Sequence, residues 1–318
     1  MHSFNEEVSA INTKGYAIIN TNDEIRNRSS SGGVFYVLAA EIIKQNGIVF
    51  GARFDDNWEV IHDYTDNLDG LIPFLGSKYV QSKIGNTYEK VRKFLHMNQK
   101  VLFTGTPCQI AGLKHFLVNE DDNLTTVDLI CHGVPSRAVW RNYIKKIIKG
   151  RNVTNINFRD KSKGWLNFSL KIDFKNGDQL QNEDLFMKGY LKNIYLRPSC
   201  YECAFKGLER DADITLADFW GVQEILPQMF DDRGTSLVLI HTERGNDLLH
   251  SLCKKIQVCE VMLGQPIECN AAAIKSVSKP ESRRQFYEGG VDNFKNLKKL
   301  TDEPLKKRII NKVKRIII

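Results

Sequence analysis

The apolar positions between residues 34 and 150 switch repeatedly between the period of a helix and that of a strand. Four segments place their apolar residues on one helical face: 34–46, 86–98, 106–117 and 136–150. Between them, "GIVFGARF" (47–54), "KVLFTG" (100–105) and "LTTVDLI" (124–130) are short apolar runs typical of buried strands. We therefore predict an α/β fold in which helices flank a largely parallel sheet.

The pattern changes after Gly150. Polar and apolar residues alternate in "INFRDK" (156–161), "LNFSLKIDF" (166–174) and "QLQNE" (179–183). The Asn176-Gly177 pair between the last two runs is a strong signal for a tight turn. This pattern predicts an antiparallel hairpin insertion around residues 153–182, followed by a helical segment at 183–196 and a strand at "DITLADF" (213–219).

The composition is that of a globular protein with a sizeable core, since 42% of its 318 residues are hydrophobic. The segment "MHSFNEEVSAINTKGY" is polar where a secretory signal needs an apolar run, and no stretch reaches the ~18 apolar residues of a membrane span. We expect a cytoplasmic protein.

The net charge of +7 is concentrated in the C-terminal segment. From Lys295 to Ile318, nine Lys and Arg residues face only Asp302 and Glu303, so the rest of the chain is neutral overall. No basic stripe interleaved with aromatic residues crosses the body, which argues against nucleic-acid binding. In the tail, one helical face would carry Leu305, Ile309, Val313 and Ile316 or Ile317. Such a face could pack on the body or make peripheral contact with an anionic membrane.

Seven cysteines, an odd number in a chain without an export signal, do not indicate a disulfide framework. Cys200 and Cys203 form a CxxC pair in "RPSCYECAF", while Cys108 and Cys131 each follow a predicted strand. Ligands bind at that edge of α/β sheets, so the four thiols could converge there around zinc or an iron–sulfur cluster.

Single cysteines on separate turns favour a cluster, because structural zinc sites usually use two short ligand pairs. The alternative is that Cys108 and Cys131 only fill the core and that the CxxC pair is incidental. The remaining cysteines, Cys253, Cys259 and Cys269, have no ligand spacing, and we interpret them as packing residues.

Two polar segments could bind an anionic cofactor. "RNRSSSGGVF" (26–35) offers serine hydroxyls and unhindered N–H groups before a helix, although it could equally be a loop in which Ser31 caps that helix. "GSKYVQS" (76–82) could clamp an anion, or could be a surface loop around Lys78. His132 could move protons near a redox centre, but a structural histidine is the commoner case.

Seven segments, in this order along the chain, resemble the coenzyme F420 hydrogenase/dehydrogenase beta-subunit family. They are "SSSGGVF", "GSKYVQS", "VLFTGTPCQIAGL", "VDLICHGVPS", "FRDKSKGW", "RPSCYECAF" and "DITLADFWG". The resemblance implies an oxidoreductase that holds FAD beside one [4Fe-4S] cluster. It assigns the cluster to Cys108, Cys131, Cys200 and Cys203. It assigns the flavin to Ser30, Ser31, Gly32, Gly33, Lys78, Tyr79, Gln81, Ser82 and Thr106.

The resemblance also implies an organisation into three parts. Residues 1–98 would form a flavin-side domain, 99–270 a cluster- and flavin-binding domain, and 271–318 the basic tail. Many relatives carry a cysteine-rich ferredoxin-like segment, whereas this sequence has no cysteine before Cys108. A separate ferredoxin, or a ferredoxin-like partner, is therefore the expected electron donor.

The substrate stays open between F420 and a small molecule such as a sugar-linked metabolite, because similar bacterial members are associated with surface polysaccharide biosynthesis. Two alternative hypotheses accompany the enzyme. One is a non-catalytic iron–sulfur subunit that transfers electrons or acts as a scaffold, and the other is a four-cysteine zinc protein.

Overall fold

The computed structural model describes residues 13–182, 184–252 and 254–302. Its strands are β1 (Lys14–Asn20), β2 (Ile48–Phe54), β3 (Val60–Thr65), β4 (Val101–Thr104), β5 (Leu124–Leu129), β6 (Val153–Asp160), β7 (Ser169–Phe174), β8 (Gln179–Asn182), β9 (Ile214–Asp218), β10 (Ser236–Ile240) and β11 (Ile256–Val261).

The helices are α1 (Asp23–Arg28), α2 (Val34–Lys44), α3 (Thr87–His96), α4 (Pro107–Leu117), α5 (Arg137–Ile148), α6 (Leu185–Leu191), α7 (Val222–Ile225), α8 (Glu243–His250), α9 (Gly264–Glu268), α10 (Ser282–Tyr287) and α11 (Phe294–Thr301). Short 3-10 turns cover Asp69–Phe74, Pro198–Cys200, Pro227–Met229 and Ala271–Ala273.

The main sheet has eight strands in the order β11-β1-β10-β9-β5-β4-β2-β3. Its centre is parallel, because β2 pairs with β4, β4 with β5, and β5 with β9 in parallel register. Both flanks are antiparallel: β3 joins β2, and β10, β1 and β11 extend the sheet beyond β9. The predicted α/β class with a parallel core is confirmed, and the antiparallel flanks are an addition to it.

Helices cover both faces of this sheet, as the βα connections of a parallel core require. On one face, α2 and α8 pack on residues such as Val49 and Leu102. On the other face, α3 and α4 pack on their strand neighbours, including Phe50 and Phe103. Successive side chains along each strand therefore pack alternately into two separate hydrophobic cores, one on each face of the sheet.

The second sheet, β6-β7-β8, is antiparallel and confirms the predicted insertion. Gly177 takes a φ of 86° in the β7–β8 turn, and its N–H donates to the Phe174 carbonyl at 3.0 Å. This small sheet packs against α5 and α6 through a cluster of aromatic side chains. The rings of Trp140 and Phe186, for example, lie 5.0 Å apart at 66°.

Most predicted helices are present, with differences at their ends. Asn86 precedes α3 as predicted, but its side chain makes no capping hydrogen bond. Thr106 instead caps α4 through a reciprocal arrangement with Gln109. Gly33 begins α2 with a φ of 82°, a left-handed conformation that glycine adopts without strain.

Two predictions concern the ends of the chain and its division into parts. The amphipathic tail segment from Leu305 onwards lies outside the described residues. The proposed boundary at residue 98 falls between strands of one sheet, since β1, β2 and β3 belong to the same sheet as β4 and β5.

Of the helices in the described ranges, none combines the length and apolar character needed to cross a bilayer.

Arg26 connects the segment before α2 to the β9–β10 connection. Its guanidinium is 2% exposed, donates twice to the Gly234 carbonyl at 2.7 and 2.9 Å, and pairs with Asp231 at 2.6 Å. We expect Arg26→Met to lower the free energy of unfolding by about 3 kcal/mol, because a buried carbonyl and a carboxylate lose their partner.

The matched control for urea unfolding is Arg28→Ala in the same helix. Its pair with Glu24 is solvent-exposed at 3.5 Å and should contribute less than about 1 kcal/mol. Equal losses in the two variants would contradict the structural role assigned to Arg26.

Candidate functional site

One cavity of about 1170 Å³ opens at the carboxyl ends of the parallel strands. Residues that follow β4, β5 and β9 line it, together with the segment before α2 and the loop after Phe74. Parallel strands end at a shared edge, so segments distant in sequence meet there. The predicted site residues fall almost entirely on the walls of this cavity.

All four predicted thiols line the cavity: Cys108, Cys131, Cys200 and Cys203. Cys108 lies in the first turn of α4 and Cys131 follows β5, while the 3-10 turn and the loop after it supply Cys200 and Cys203. The structure therefore places the thiols around one space.

Electrostatic coupling indicates how near the thiols are to one another. Burial raises the pKa of Cys131 to about 12, and the nearby Cys108 and Cys200 add to the rise. Burial also raises the pKa of Cys200, with further contributions from Cys108 and Cys203. Holding thiolates here thus requires compensating positive charge.

Hydrogen-bond donors surround the sulfurs. The N–H groups of Gly133 and Val134 donate to the thiols of Cys131 and Cys200, respectively. The Lys206 ammonium donates to the Cys131 carbonyl at 2.5 Å, and Cys131, Cys203 and Cys200 all act on its charge. The site supplies both N–H donors and a cation to a group bound through these sulfurs.

Gly133 allows the segment after β5 to approach the CxxC loop. Its φ is 138°, and a Cβ at this position would lie 3.0 Å from Leu196 and 3.2 Å from the Cys200 Cβ. A larger residue would be strained and would push the two thiol-bearing segments apart.

The donor set fits an iron–sulfur cluster, because four thiols are the ligands that a cubane takes. Within the described ranges, no three His, Cys, Asp or Glu side chains are grouped closely enough to hold a metal ion. A cubane has four irons and four sulfides between its ligands, so thiols spread around a cavity are compatible with it.

The serine–glycine segment forms another wall. Ser30, Ser31 and Gly33 line the cavity. Ser30 Oγ accepts from the Ser77 N–H at 2.6 Å and joins this segment to the loop after Phe74. Gly32 lies behind the wall, where a Cβ would come within 2.3 Å of the Ile18 carbonyl oxygen. Its function here is close backbone approach, whereas its neighbours face the cavity.

The second polar segment also faces the cavity, through Lys78, Tyr79, Gln81 and Ser82, as does Thr106 at the start of α4. The Lys78 ammonium donates to the carbonyls of Pro73 and Leu75 at 2.8 and 2.9 Å. Burial lowers the pKa of Lys78 to about 7, while these carbonyls favour its charged form. Lys78 is thus engaged in holding its own loop.

Tyr79 is part of a buried group that the sequence pattern did not single out. Its ring stacks on Tyr190 at 5.0 Å, and its hydroxyl accepts from Arg159 at 3.1 Å. Arg159 is 2% exposed, pairs with Asp218 at 2.6 Å and lies over the Phe168 ring at 3.9 Å. Both Arg159 and Asp218 line the cavity. Their positions within "FRDK" and "LADF" are the only sequence signal.

His62 also lines the cavity, although the sequence pattern did not single it out. It is 6% exposed, and its Nε2–H donates to the Thr104 carbonyl at 2.7 Å, so Nδ1 accepts from the Ser82 hydroxyl at 2.8 Å. Gln109 donates to the same hydroxyl oxygen at 2.8 Å. This network fixes Ser82 at the cavity wall, and burial lowers the pKa of His62 to about 4.

The structure also places the remaining candidates. His132 lines the cavity with its Nε2 2.6 Å from Asn193 Oδ1, and burial lowers its pKa. Cys259 is half-buried and packs on the core, as predicted. The packing role predicted for Cys269 is wrong, because its side chain is exposed and lines the cavity. Cys253 lies outside the described residues.

Comparison with known proteins gives a family model and solved structures that match. A family model for the C terminus of the beta subunit of coenzyme F420 hydrogenase/dehydrogenase matches residues 98–263. One chain of the F420-reducing [NiFe] hydrogenase complex from Methanosarcina barkeri has the same fold, with a TM-score of 0.53. It is 17% identical over 81% of this chain and 89% of that chain. A search of curated proteins found no match.

The buried His62 predicts a pH dependence of stability. Its pKa falls from 6.5 in the unfolded chain to about 4 in the folded protein, so only the unfolded state is protonated between these values. The free energy of unfolding should therefore decrease as pH falls through this window, by about 1.4 kcal/mol per pH unit from His62 alone.

Urea unfolding at several pH values between 6.5 and 4 tests this effect, with His62→Gln expected to have the shallower slope. His115→Gln, which changes an exposed histidine, should keep the wild-type slope. Part of the slope should persist in His62→Gln, because burial also lowers the pKa of His241 to about 4. An unchanged slope in His62→Gln would show that His62 titrates normally.

Proposed function

The chain belongs to the coenzyme F420 hydrogenase/dehydrogenase beta-subunit family, and from this premise we propose that it is an FAD- and [4Fe-4S]-dependent oxidoreductase. The family and the shared fold place it among redox proteins of the beta-subunit type. The proposal adds the two cofactors, the residues that hold them, and a reaction in which electrons pass between cluster and flavin to reduce or oxidise a substrate.

One observation carries this proposal: the four thiols and the two polar segments line the same cavity. At about 1170 Å³ it is larger than the roughly 300–1,000 Å³ typical of a pocket for a single small ligand. Such a volume supports an occupant of dinucleotide size beside a cluster. Electron transfer between two cofactors needs them to be close, and a shared cavity provides that.

The proposed cluster ligands are Cys108, Cys131, Cys200 and Cys203. A bound cluster supplies one-electron exchange. The protein's contribution is to hold four sulfurs in one cavity and to surround them with N–H donors from Gly133 and Val134; burial raises the pKa of two of these thiols, Cys131 and Cys200. The Lys206 ammonium offsets negative charge at the same place. Donors and cations of this kind raise the reduction potential of a cluster.

The proposed flavin contacts are Ser30, Ser31, Gly33, Lys78, Tyr79, Gln81, Ser82 and Thr106, with Gly32 supporting the first segment from behind. A bound flavin supplies conversion between one-electron and two-electron chemistry. Serine hydroxyls and the start of the eleven-residue α2 suit its phosphates. The stacked Tyr79 and Tyr190 offer an aromatic wall, and the buried Arg159 provides positive charge beside them.

The proposal also covers the substrate, the protein partners and the location. F420 and a sugar-linked metabolite are the two substrate classes we propose, with a ferredoxin-like protein as the electron donor. The structural neighbour is one chain of a hydrogenase complex, which supports partner subunits for this chain too. Since free thiols such as Cys269 persist in a reducing compartment, we place the protein in the cytoplasm. Peripheral membrane contact through the tail is a further proposal.

A second candidate is a non-catalytic electron-transfer subunit, which the neighbour's place in a larger complex favours. It would hold the cluster without flavin. A zinc protein would hold neither. Measuring both cofactors in the same sample separates these functions.

Anaerobically purified protein should contain about four irons per chain together with FAD. Cys200→Ser should lose most of the iron, because one of four thiolate ligands is removed. Cys259→Ser is the matched control, since this half-buried cysteine does not line the cavity and its loss should leave the iron content unchanged. Iron, sulfide, zinc and flavin analyses of the three proteins provide the measurement.

Iron without flavin in the wild type would favour the electron-transfer subunit. Zinc in place of iron would favour the third hypothesis. Full iron content in Cys200→Ser would reject the proposed ligand set.

The flavin assignment predicts a separable effect. Ser30→Ala removes the hydroxyl that joins the two polar segments, so FAD affinity should fall about fivefold, equivalent to about 1 kcal/mol. Its iron content should stay at the wild-type level. Ser169→Ala, in the second sheet and outside the cavity, is the control for titration of apoprotein with FAD. Equal affinities in the two variants would place the flavin elsewhere.

A further inference from the structure

A chain of hydrogen bonds crosses four neighbouring strands of the main sheet. Thr215 on β9 donates to Asp128 Oδ1 on β5 at 2.5 Å, in direct cross-strand register. Its hydroxyl oxygen lies 2.8 Å from Nε2 of His241, which follows β10. His241 Nδ1 lies 3.1 Å from the hydroxyl of Thr13, which precedes β1. Four side chains, one from each strand region, are thus connected without a gap.

The chemistry of these groups gives the chain a direction. An ionised carboxylate only accepts hydrogen bonds, so the single hydroxyl proton of Thr215 must point to Asp128. The Thr215 oxygen then accepts from Nε2–H of His241, and Nδ1 of the neutral imidazole accepts from the Thr13 hydroxyl. Every donor therefore points from Thr13 towards Asp128.

The two ends of the chain lie in different environments. Asp128 is 2% exposed and forms part of the cavity wall, three residues before Cys131. His241 and Thr13 are only partly buried, so the outer end reaches solvent away from the cavity. The chain thus joins solvent to a wall of the proposed cofactor site.

We propose that Thr13, His241, Thr215 and Asp128 form a proton relay that supplies the cavity. The inference rests on the proposed function, since two-electron reduction of an organic acceptor in the cavity takes up at least one proton, with the electrons coming from the ferredoxin-like donor.

In each cycle the Thr13 hydroxyl passes its proton to His241 Nδ1 and takes a proton from solvent, the Nε2 proton passes to Thr215, and the Thr215 proton passes to Asp128. Asp128 then releases one proton to the cavity. One proton enters for each that leaves. Before the next transfer the hydroxyl groups rotate back, and the imidazole regains its Nε2–H tautomer by losing the Nδ1 proton to solvent and taking up a solvent proton at Nε2.

The surroundings of His241 and Asp128 favour proton transfer, because they do not hold a proton permanently on the histidine. Burial raises the pKa of Asp128 to about 6, against the opposing effects of Arg210 and the Thr215 hydrogen bond, and Asp211 adds to the rise. Burial lowers the pKa of His241 to about 4, with Arg210 lowering it further and Asp213 opposing. Near neutral pH the histidine is uncharged and can pass a proton without retaining it, while Asp128 can accept one at small cost.

Thr215→Val tests the relay, because it removes the central hydroxyl with little change in shape. Thr215→Ser restores the hydroxyl. The matched control is Thr126→Val, which removes another fully buried hydroxyl that donates to an aspartate, Asp213, just before β9, but lies outside this chain of hydrogen bonds. If Thr215→Val does not fold, His241→Phe is the second test variant, because it breaks the relay at a partly exposed position.

The first measurement is stopped-flow reduction of bound flavin by reduced methyl viologen, without oxygen, in H₂O and D₂O. Thr215→Val should slow proton-coupled reduction at least about tenfold and increase the solvent isotope effect, because proton delivery becomes limiting. Thr215→Ser and Thr126→Val should stay within about twofold of wild type. Wild-type rates and isotope effects in a Thr215→Val protein with full cofactor content would overturn the relay.

The second measurement does not need cofactors. ¹⁵N NMR of the His241 ring should show the Nε2–H tautomer in the wild type and a mixture of tautomers in Thr215→Val. An Nδ1–H tautomer in the wild type would overturn the relay even if reduction proceeds. A wild-type protein that binds no flavin would refute the proposed function. The NMR result would then show by itself whether the hydrogen bonds from Thr13 to Asp128 have the proposed direction.

Discussion

The site depends on one topological constraint: parallel strands β4, β5 and β9 end at the same edge of the sheet. The segments that follow them bring Cys108 and Cys131 to one cavity although they are distant from the CxxC loop in sequence. That loop is held in place by the aromatic cluster around Trp140 and Phe186, which joins the antiparallel insertion to α5 and α6. Gly133 then permits the close approach of the two thiol-bearing segments.

The chemistry of the cavity follows from its burial. A low-dielectric wall makes isolated thiolates costly, which is why the pKa of Cys131 rises to about 12. Paired charges are therefore strong here, and the structure provides Lys206 beside the thiols and an Arg159–Asp218 ion pair on the cavity wall. The cluster that we propose would bring positive iron centres to these sulfurs, and the proposed reduction would take up protons.

Much of the fold could be predicted from sequence, because helical and strand periods are local properties. The parallel core and the hairpin at Asn176-Gly177 follow directly from them, and the ordered motifs identified the family. The outer part of one antiparallel flank could not be predicted, since pairing of β1 with β10 and β11 joins segments more than 200 residues apart. His62 was not identified because its partners, the Ser82 hydroxyl and the Thr104 carbonyl, come from separate segments that only the fold brings to it. Cys269 was misassigned because its surroundings come from other segments. Gly32 was placed correctly beside the site, but only the structure shows that it supports the wall from behind.

The central claim is that four separated thiols bind one inorganic centre at the edge of the sheet. An anaerobic crystal structure of the cofactor-loaded protein, with anomalous data collected at the iron edge, tests it most directly. We expect a single compact iron signal bonded to the sulfurs of residues 108, 131, 200 and 203, with flavin density against the serine–glycine segment. Iron bound elsewhere, or four free thiols around a flavin, would contradict it.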